Sequence, residues 1–111
     1  MKTIKFEPSL VPRVLSGEKT STWRLFDDKD LRVGDDVSLV DRSTGKEFAT
    51  ARIVSVKEKP MGKIEEADFK GHESYESREK MFETFRGYYG DRVSEDSVMK
   101  MIGFELTRSE V

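Results

Sequence analysis

Between Gly17 and Arg24 the chain reads Gly-Glu-Lys-Thr-Ser-Thr-Trp-Arg, which gathers an amine, three hydroxyls and a guanidinium into eight positions. Thr22 can supply a hydroxyl nucleophile and Lys19 a general base, with Arg24 lowering the Lys19 pKa or stabilising an oxyanion. A lysine at its ordinary value near 10.4 is protonated at neutral pH, so this use demands a drop of roughly 2 to 3 units through burial and a neighbouring cation. If Arg24 or a protonated Lys19 serves the oxyanion instead, water becomes the nucleophile. In a regular strand Lys19 and Thr22 have opposite parity and cooperate only if the chain bends near Thr20, whereas Thr20, Thr22 and Arg24 share a face. The competing reading is structural: Lys19 a solvated turn residue, Thr22 a strand former and Arg24 one half of an ion pair.

The flanking elements can be read from periodicity. Lys2-Thr3-Ile4-Lys5-Phe6 alternates polar and apolar residues and predicts a strand with Ile4 and Phe6 on one face. Leu10, Val11, Val14 and Leu15 follow at helical spacing, with Pro12 in the first turn and Gly17 as the C-terminal stop. Leu31 to Asp36 reads as a turn into the strand Val37 to Asp41, and Ser43-Thr44-Gly45 as the hairpin turn into Phe48 to Val56. In the latter strand Ala49, Ala51 and Ile53 share a face, and Lys57 to Lys63, with Pro60 and Gly62, reads as a loop. Met81, Phe82, Phe85, Tyr88 and Tyr89 form a helical stripe with Ser74 as cap, Glu76 in the first turn and Gly90 at the end. Ser97 to Leu106 carries apolar residues on both faces, as an interior strand does, and Thr107 to Val111 is expected to fray. This order lacks regular βαβ alternation and predicts a mainly β, α+β fold: a small antiparallel barrel with two or three short helices, one domain over residues 1–111.

The pattern Gly17-x-Lys19-x-x-Thr22-x-Arg24, the turn Leu31-Arg32-Val33-Gly34-Asp35-Asp36-Val37 and the closing strand Met101-Ile102-Gly103-Phe104-Glu105-Leu106 together resemble the ASCH (activating signal cointegrator homology) family. The resemblance implies a PUA-like barrel, whose relatives handle RNA or modified nucleosides. It extends to the small bacterial ASCH proteins, some of which are amidohydrolases that deacetylate N4-acetylcytidine. Their catalytic Lys and Thr fall on Lys19 and Thr22, and their catalytic Glu on Glu73 in Lys70-Gly71-His72-Glu73-Ser74, with Glu76 and Glu66 as alternatives. Hydrolysing such an amide takes a nucleophile, a base and an acid for the departing ring amine, roles open to Thr22, Lys19 and Glu73.

Thr20, Trp23, Arg24 and His72 are the candidate substrate-binding residues. His72 is the only histidine. A lone loop histidine is more often a surface residue than a ligand, so no metal and no cofactor are expected, and any role of His72 would be to tune Glu73 or touch a ligand. Trp23, Tyr88 and Tyr89 can stack on a base, but their spacing suits a core.

The 111 residues contain no cysteine, which excludes disulfides and thiolate chemistry, and show neither a signal-peptide pattern nor an apolar run long enough for a membrane span. A cytoplasmic protein is expected. Twenty basic residues against 22 acidic ones give a net charge of −2, with the basic excess in the first half: 12 basic and 10 acidic residues up to position 60, then 8 and 12. That balance disfavours a general nucleic-acid coat and favours a small neutral nucleoside as substrate. Two other readings remain, an RNA-binding module in which Lys19 and Arg24 contact phosphates, and a ribonuclease using the same cleft. The Asp27-Asp28-Lys29-Asp30 segment has no counterpart in the resemblance and either shapes the site or decorates it.

Overall fold

The computed structural model describes residues 1–27 and 29–109. Five strands form one sheet: β1 (Lys2–Phe6), β2 (Ser21–Leu25), β3 (Asp36–Asp41), β4 (Glu47–Pro60) and β5 (Val98–Ser109), in the spatial order β1-β3-β4-β5-β2. Helix α1 (Val11–Leu15) follows a single 3-10 turn at Pro8–Leu10, and α2 (Arg78–Tyr89) precedes β5. The result is a curled half-barrel with two short helices, an α+β fold of the expected kind. One expectation needs correcting. The sheet is mixed, because β1 pairs with β3 in parallel while the other three pairings are antiparallel. The crossover through α1, β2 and the 26–35 loop allows this, since parallel neighbours need a long connection rather than a hairpin.

β1 and β2 are therefore the two edges of the sheet, and the barrel is left with a seam between them. Side chains from the β2 side bridge it. Arg24 Nη2 donates to the Lys5 carbonyl at 2.7 Å, and Lys29 Nζ donates to the Thr3 carbonyl at 2.7 Å.

Two apolar clusters fill the molecule. The first, inside the curl, contains Ile4, Phe6, Val14, Leu39, Ala49, Ala51, Ile53, Ile102 and Phe104. The second lies under α2 and gathers Trp23, Leu25, Met61, Met81, Phe82, Phe85, Met99 and Met101. β5 serves both, Ile102 and Phe104 facing the first and Met99 and Met101 the second, which is why it is apolar on both sides.

β4 is longer than its apolar pattern suggests. It runs on to Pro60, so the expected loop at Lys57 begins only at the 3-10 turn Met61–Lys63. Beyond Arg52 it has lost β3 and pairs only with β5, and an edge of this kind tolerates Lys57, Lys59 and a terminal Pro60. The buried carboxylate of Asp68 accepts from both lysines, at 2.7 and 2.8 Å. α2 starts at Arg78 rather than near Ser74, because the Ser77 hydroxyl, accepting from the Lys80 amide at 3.2 Å, is the cap that forms. β5 extends to Ser109, so Thr107 to Ser109 belong to the sheet, while Glu110 and Val111 lie outside the described residues. Asp27 is a structural anchor: it accepts from Lys100 Nζ at 2.9 Å and from the amides of Lys29 and Leu31. Among the described residues no helix is long and apolar enough to cross a membrane.

Candidate functional site

The seam opens into a cleft of about 270 Å³, walled on one side by β1, on the other by β2, and closed at the back by the 72–75 segment and the end of α2. Lys19, Thr22, Trp23, Arg24, His72 and Glu73 all line it. The parity objection to Lys19 and Thr22 does not arise, since β2 begins only at Ser21. Gly17, at φ +83°, turns the chain out of α1, and the Lys19 amide bonds back to the Arg13 carbonyl at 2.9 Å. Lys19 is thus outside the strand and free of its alternation.

Lys19 is buried, 4% exposed, and its Nζ lies 2.6 Å from Glu73 Oε2. Burial lowers the pKa of the amine; the Glu73 carboxylate works against this, and the positive charges of Arg24 and Arg13 add to the lowering. On the partner's side, burial works to raise the Glu73 carboxyl, but the charges of His72 and Lys19 and the bond from Lys19 outweigh it and hold the group below its ordinary value. At neutral pH Lys19 is the cation that does so. The alternatives Glu76 and Glu66 are both exposed, and neither lines the cleft.

His72 departs from the expected surface residue, for its side chain is only 3% exposed. The ring lies 4.1 Å from the Trp23 ring at 18°, a stacked arrangement, and Nδ1 is 2.8 Å from the Glu73 backbone carbonyl. A carbonyl only accepts, so Nδ1 carries the proton and Nε2 turns its lone pair towards Glu73 Oε1, 3.6 Å away. Burial, assisted by the charge of Lys19, lowers the imidazole pKa to about 4, so the ring is neutral at physiological pH.

Gly71 sets up this corner. At φ +75° it takes a backbone conformation that side chains disfavour, and its carbonyl accepts from the amides of Thr20 and Ser21 at 2.9 and 3.1 Å. The loop that carries His72 and Glu73 is thereby tied to the start of β2. A Cβ on Gly71 would run into Thr20 Oγ1. Thr20 itself is exposed and outside the cleft, in a shallow depression beside α1, so it does not join the other candidates.

Arg24 reaches across the seam to Lys5, with its guanidinium 5.8 Å from the Phe6 ring centre. Thr22 is 5% exposed, and among the described residues its hydroxyl has no hydrogen-bond partner. Trp23 is 4% exposed, and its buried Nε1 has no hydrogen-bond partner among the described residues. Tyr89 packs against the second cluster, whereas Tyr88 is 54% exposed; both border the cleft.

Several wall residues escaped the sequence reading. Tyr75, whose phenol is pushed up by burial and by Glu73, faces the cleft, and so do Lys5, Glu7 and Arg42. Arg42 enters because parallel pairing puts the C-terminal ends of β1 and β3 side by side, with the Arg42 amide bonded to the Phe6 carbonyl at 2.9 Å. An antiparallel expectation would not place it there.

No protein-family model matches the chain, and no curated protein matches it in sequence. Solved structures do match in fold. A DUF984 protein from Enterococcus faecalis superposes with a TM-score of 0.75 at 21% identity, over 93% of this chain and 72% of that one. The ASCH domain from Lactobacillus crispatus gives 0.68 at 20% identity over 87% and 69%, and ASCH from Zymomonas mobilis 0.66 at 12% over 93% and 65%. The chain has the fold of an ASCH domain.

Proposed function

We propose that this chain is an amidohydrolase that removes an acyl group from the exocyclic amine of a modified pyrimidine nucleoside, with N4-acetylcytidine as the type substrate. The observation that carries the reading is the pairing of buried Lys19 with Glu73, 2.6 Å apart and sharing a small aromatic-walled cleft with the Thr22 hydroxyl, which has no partner among the described residues. The cleft is below the usual size of pockets for drug-sized ligands, so it suits one ring and its substituent rather than a folded polymer.

The pair holds one proton, which rests on Lys19 before substrate binds. As the substrate fills the cleft and displaces water, the proton passes along the 2.6 Å contact to Glu73, leaving Lys19 a neutral amine and Glu73 a carboxylic acid for the reaction. Lys19 takes the proton of Thr22 as its oxygen attacks the acyl carbon. The ammonium that forms on Lys19 is the cation beside the developing oxyanion. The tetrahedral intermediate collapses, the C–N bond breaks, and Glu73 passes its proton to the departing ring amine. This leaves an ester on Thr22 and an ammonium–carboxylate pair. Water then attacks the ester and gives its proton to Glu73, while Lys19 returns its own to the Thr22 oxygen. The acid departs and the starting protonation is restored. His72 stacks on Trp23 and fixes the Glu73 backbone, which makes it a positioning residue.

The test is incubation of the pure protein with N4-acetylcytidine, following loss of the acetylated base by absorbance, beside a Lys19→Ala control. Turnover that vanishes in the control is expected. Absence of turnover by the unaltered protein, or turnover that survives in Lys19→Ala, overturns the reading.

A further inference from the structure

We propose that the ligand of this cleft carries a phosphate group on its nucleoside, bound at the outer end of the seam by Arg24, Lys5 and Arg42. This rests on the nucleoside reading above and corrects the neutral substrate that the overall charge of the chain suggests.

The argument is one of uncompensated charge. Four cations line the cleft, Lys5, Lys19, Arg24 and Arg42, against two carboxylates, Glu7 and Glu73. Lys19 and Glu73 neutralise each other at 2.6 Å. Arg42 touches Glu7 at 3.4 Å, a half-exposed contact of the kind that contributes little. Among the described residues, no carboxylate lies within ion-pair distance of Arg24 or Lys5. Arg24 is the costly member. Burial pushes its guanidinium below its ordinary value, and the charge of Arg42 pushes in the same direction, offset only in part by Tyr89, which is hydrogen-bonded to it, and by Asp27. A partly buried guanidinium that shares one cleft with a second is unfavourable until an anion joins them.

The geometry suits a phosphate. Arg24 donates Nη2 to the neutral Lys5 carbonyl and is hydrogen-bonded to the Tyr89 phenol, contacts that fix the planar group without neutralising it, and a guanidinium has five N–H donors, so others are left for an oxyanion. Lys5 and Arg42 sit at the exposed edge of the same wall, at the ends of the paired strands β1 and β3, where a phosphate keeps part of its hydration. Thr22 and Arg24 are two residues apart on β2, roughly 7 Å along the strand. A ligand whose acylated amine meets Thr22 therefore runs along the seam towards the arginines.

Isothermal titration calorimetry of the full chain with cytidine and with cytidine 5′-monophosphate tests this, since neither ligand has an acyl group and both can be read even if hydrolysis fails. The monophosphate is expected to bind at least about tenfold tighter at low salt, and the preference is expected to collapse in a Lys5→Ala/Arg42→Ala double variant. Both positions are exposed, so the variant keeps the core. Equal affinity for the two ligands, a preference that survives in the double variant, or no binding of either overturns the inference. A cytidine trinucleotide lacking a terminal phosphate separates the sources of the group. Tighter binding than the monophosphate assigns it to an RNA chain, weaker binding to a free nucleotide, and each upholds the phosphate site.

Discussion

Burying an amine is unfavourable unless something keeps it hydrogen-bonded, and Glu73 does that for Lys19. Removing the amine as Lys19→Ala should lower hydrolysis of the proposed substrate by about 10²- to 10⁴-fold, the usual weight of a general acid–base group, measured as kcat on N4-acetylcytidine. Thr22→Val keeps the branched shape that suits β2 and removes only the hydroxyl. It should abolish turnover while changing unfolding in urea by less than about 1 kcal/mol. His72 supplies a pH signature. Its folded pKa of about 4 lies below the unfolded value near 6.5, so the unfolded chain binds the proton first and stability falls as pH drops between those values. The loss amounts to about 3 kcal/mol once pH 4 is reached, and denaturation midpoints of His72→Asn, which can still donate to the Glu73 carbonyl, should show a flatter profile over that interval. The carboxylates act at lower pH. At this scale the eight-residue stretch singled out Lys19, Thr22 and Arg24 by side-chain type, whereas Glu73 came only from the family resemblance, beside Glu76 and Glu66, because a contact across 54 residues leaves no mark on local spacing. Thr20 lies outside the cleft because it precedes β2, so strand parity does not carry it onto the face of Thr22 and Arg24.

The elements hold the site through backbone bonds that no side-chain pattern records. The Gly71 carbonyl ties the loop carrying His72 and Glu73 to Thr20 and Ser21, and the Thr20 carbonyl in turn accepts from the Phe104 amide at 3.0 Å. Gly71→Ala combines a left-handed φ with a collision at Thr20 Oγ1. It should cost about 2 to 4 kcal/mol in urea unfolding, and Thr20→Ala should recover the steric part only. Strand and helix cores were readable because Ile4 and Phe6, Ala49 to Ile53 and the Met81–Phe85 stripe keep their periods. The late start of α2 was not, because Ser74 and Ser77 are equally good caps by type. The choice falls to Tyr75, whose ring packs against Phe69 and Phe85 and holds the preceding segment out of the helix. The parallel partner of β1 also left no trace in the sequence, since pairing direction depends on the whole crossover.

For the molecule as a whole, β5 joins the two apolar clusters, and that predicts one cooperative transition. Trp23 fluorescence reports the cluster under α2 and far-ultraviolet circular dichroism the sheet, so the two urea curves should coincide; separate midpoints would mean that the clusters unfold independently. The open seam has a further consequence. Thr3 and Lys5 lie two apart on the free edge of β1, and the carbonyls that a second copy of the chain would use to extend the sheet are already occupied by Lys29 and Arg24. These two cations guard solubility. With Lys29→Ala in place, light scattering at high protein concentration should detect self-association that the unaltered chain resists, so that a barrel left open on one side is kept from feeding on its own strands.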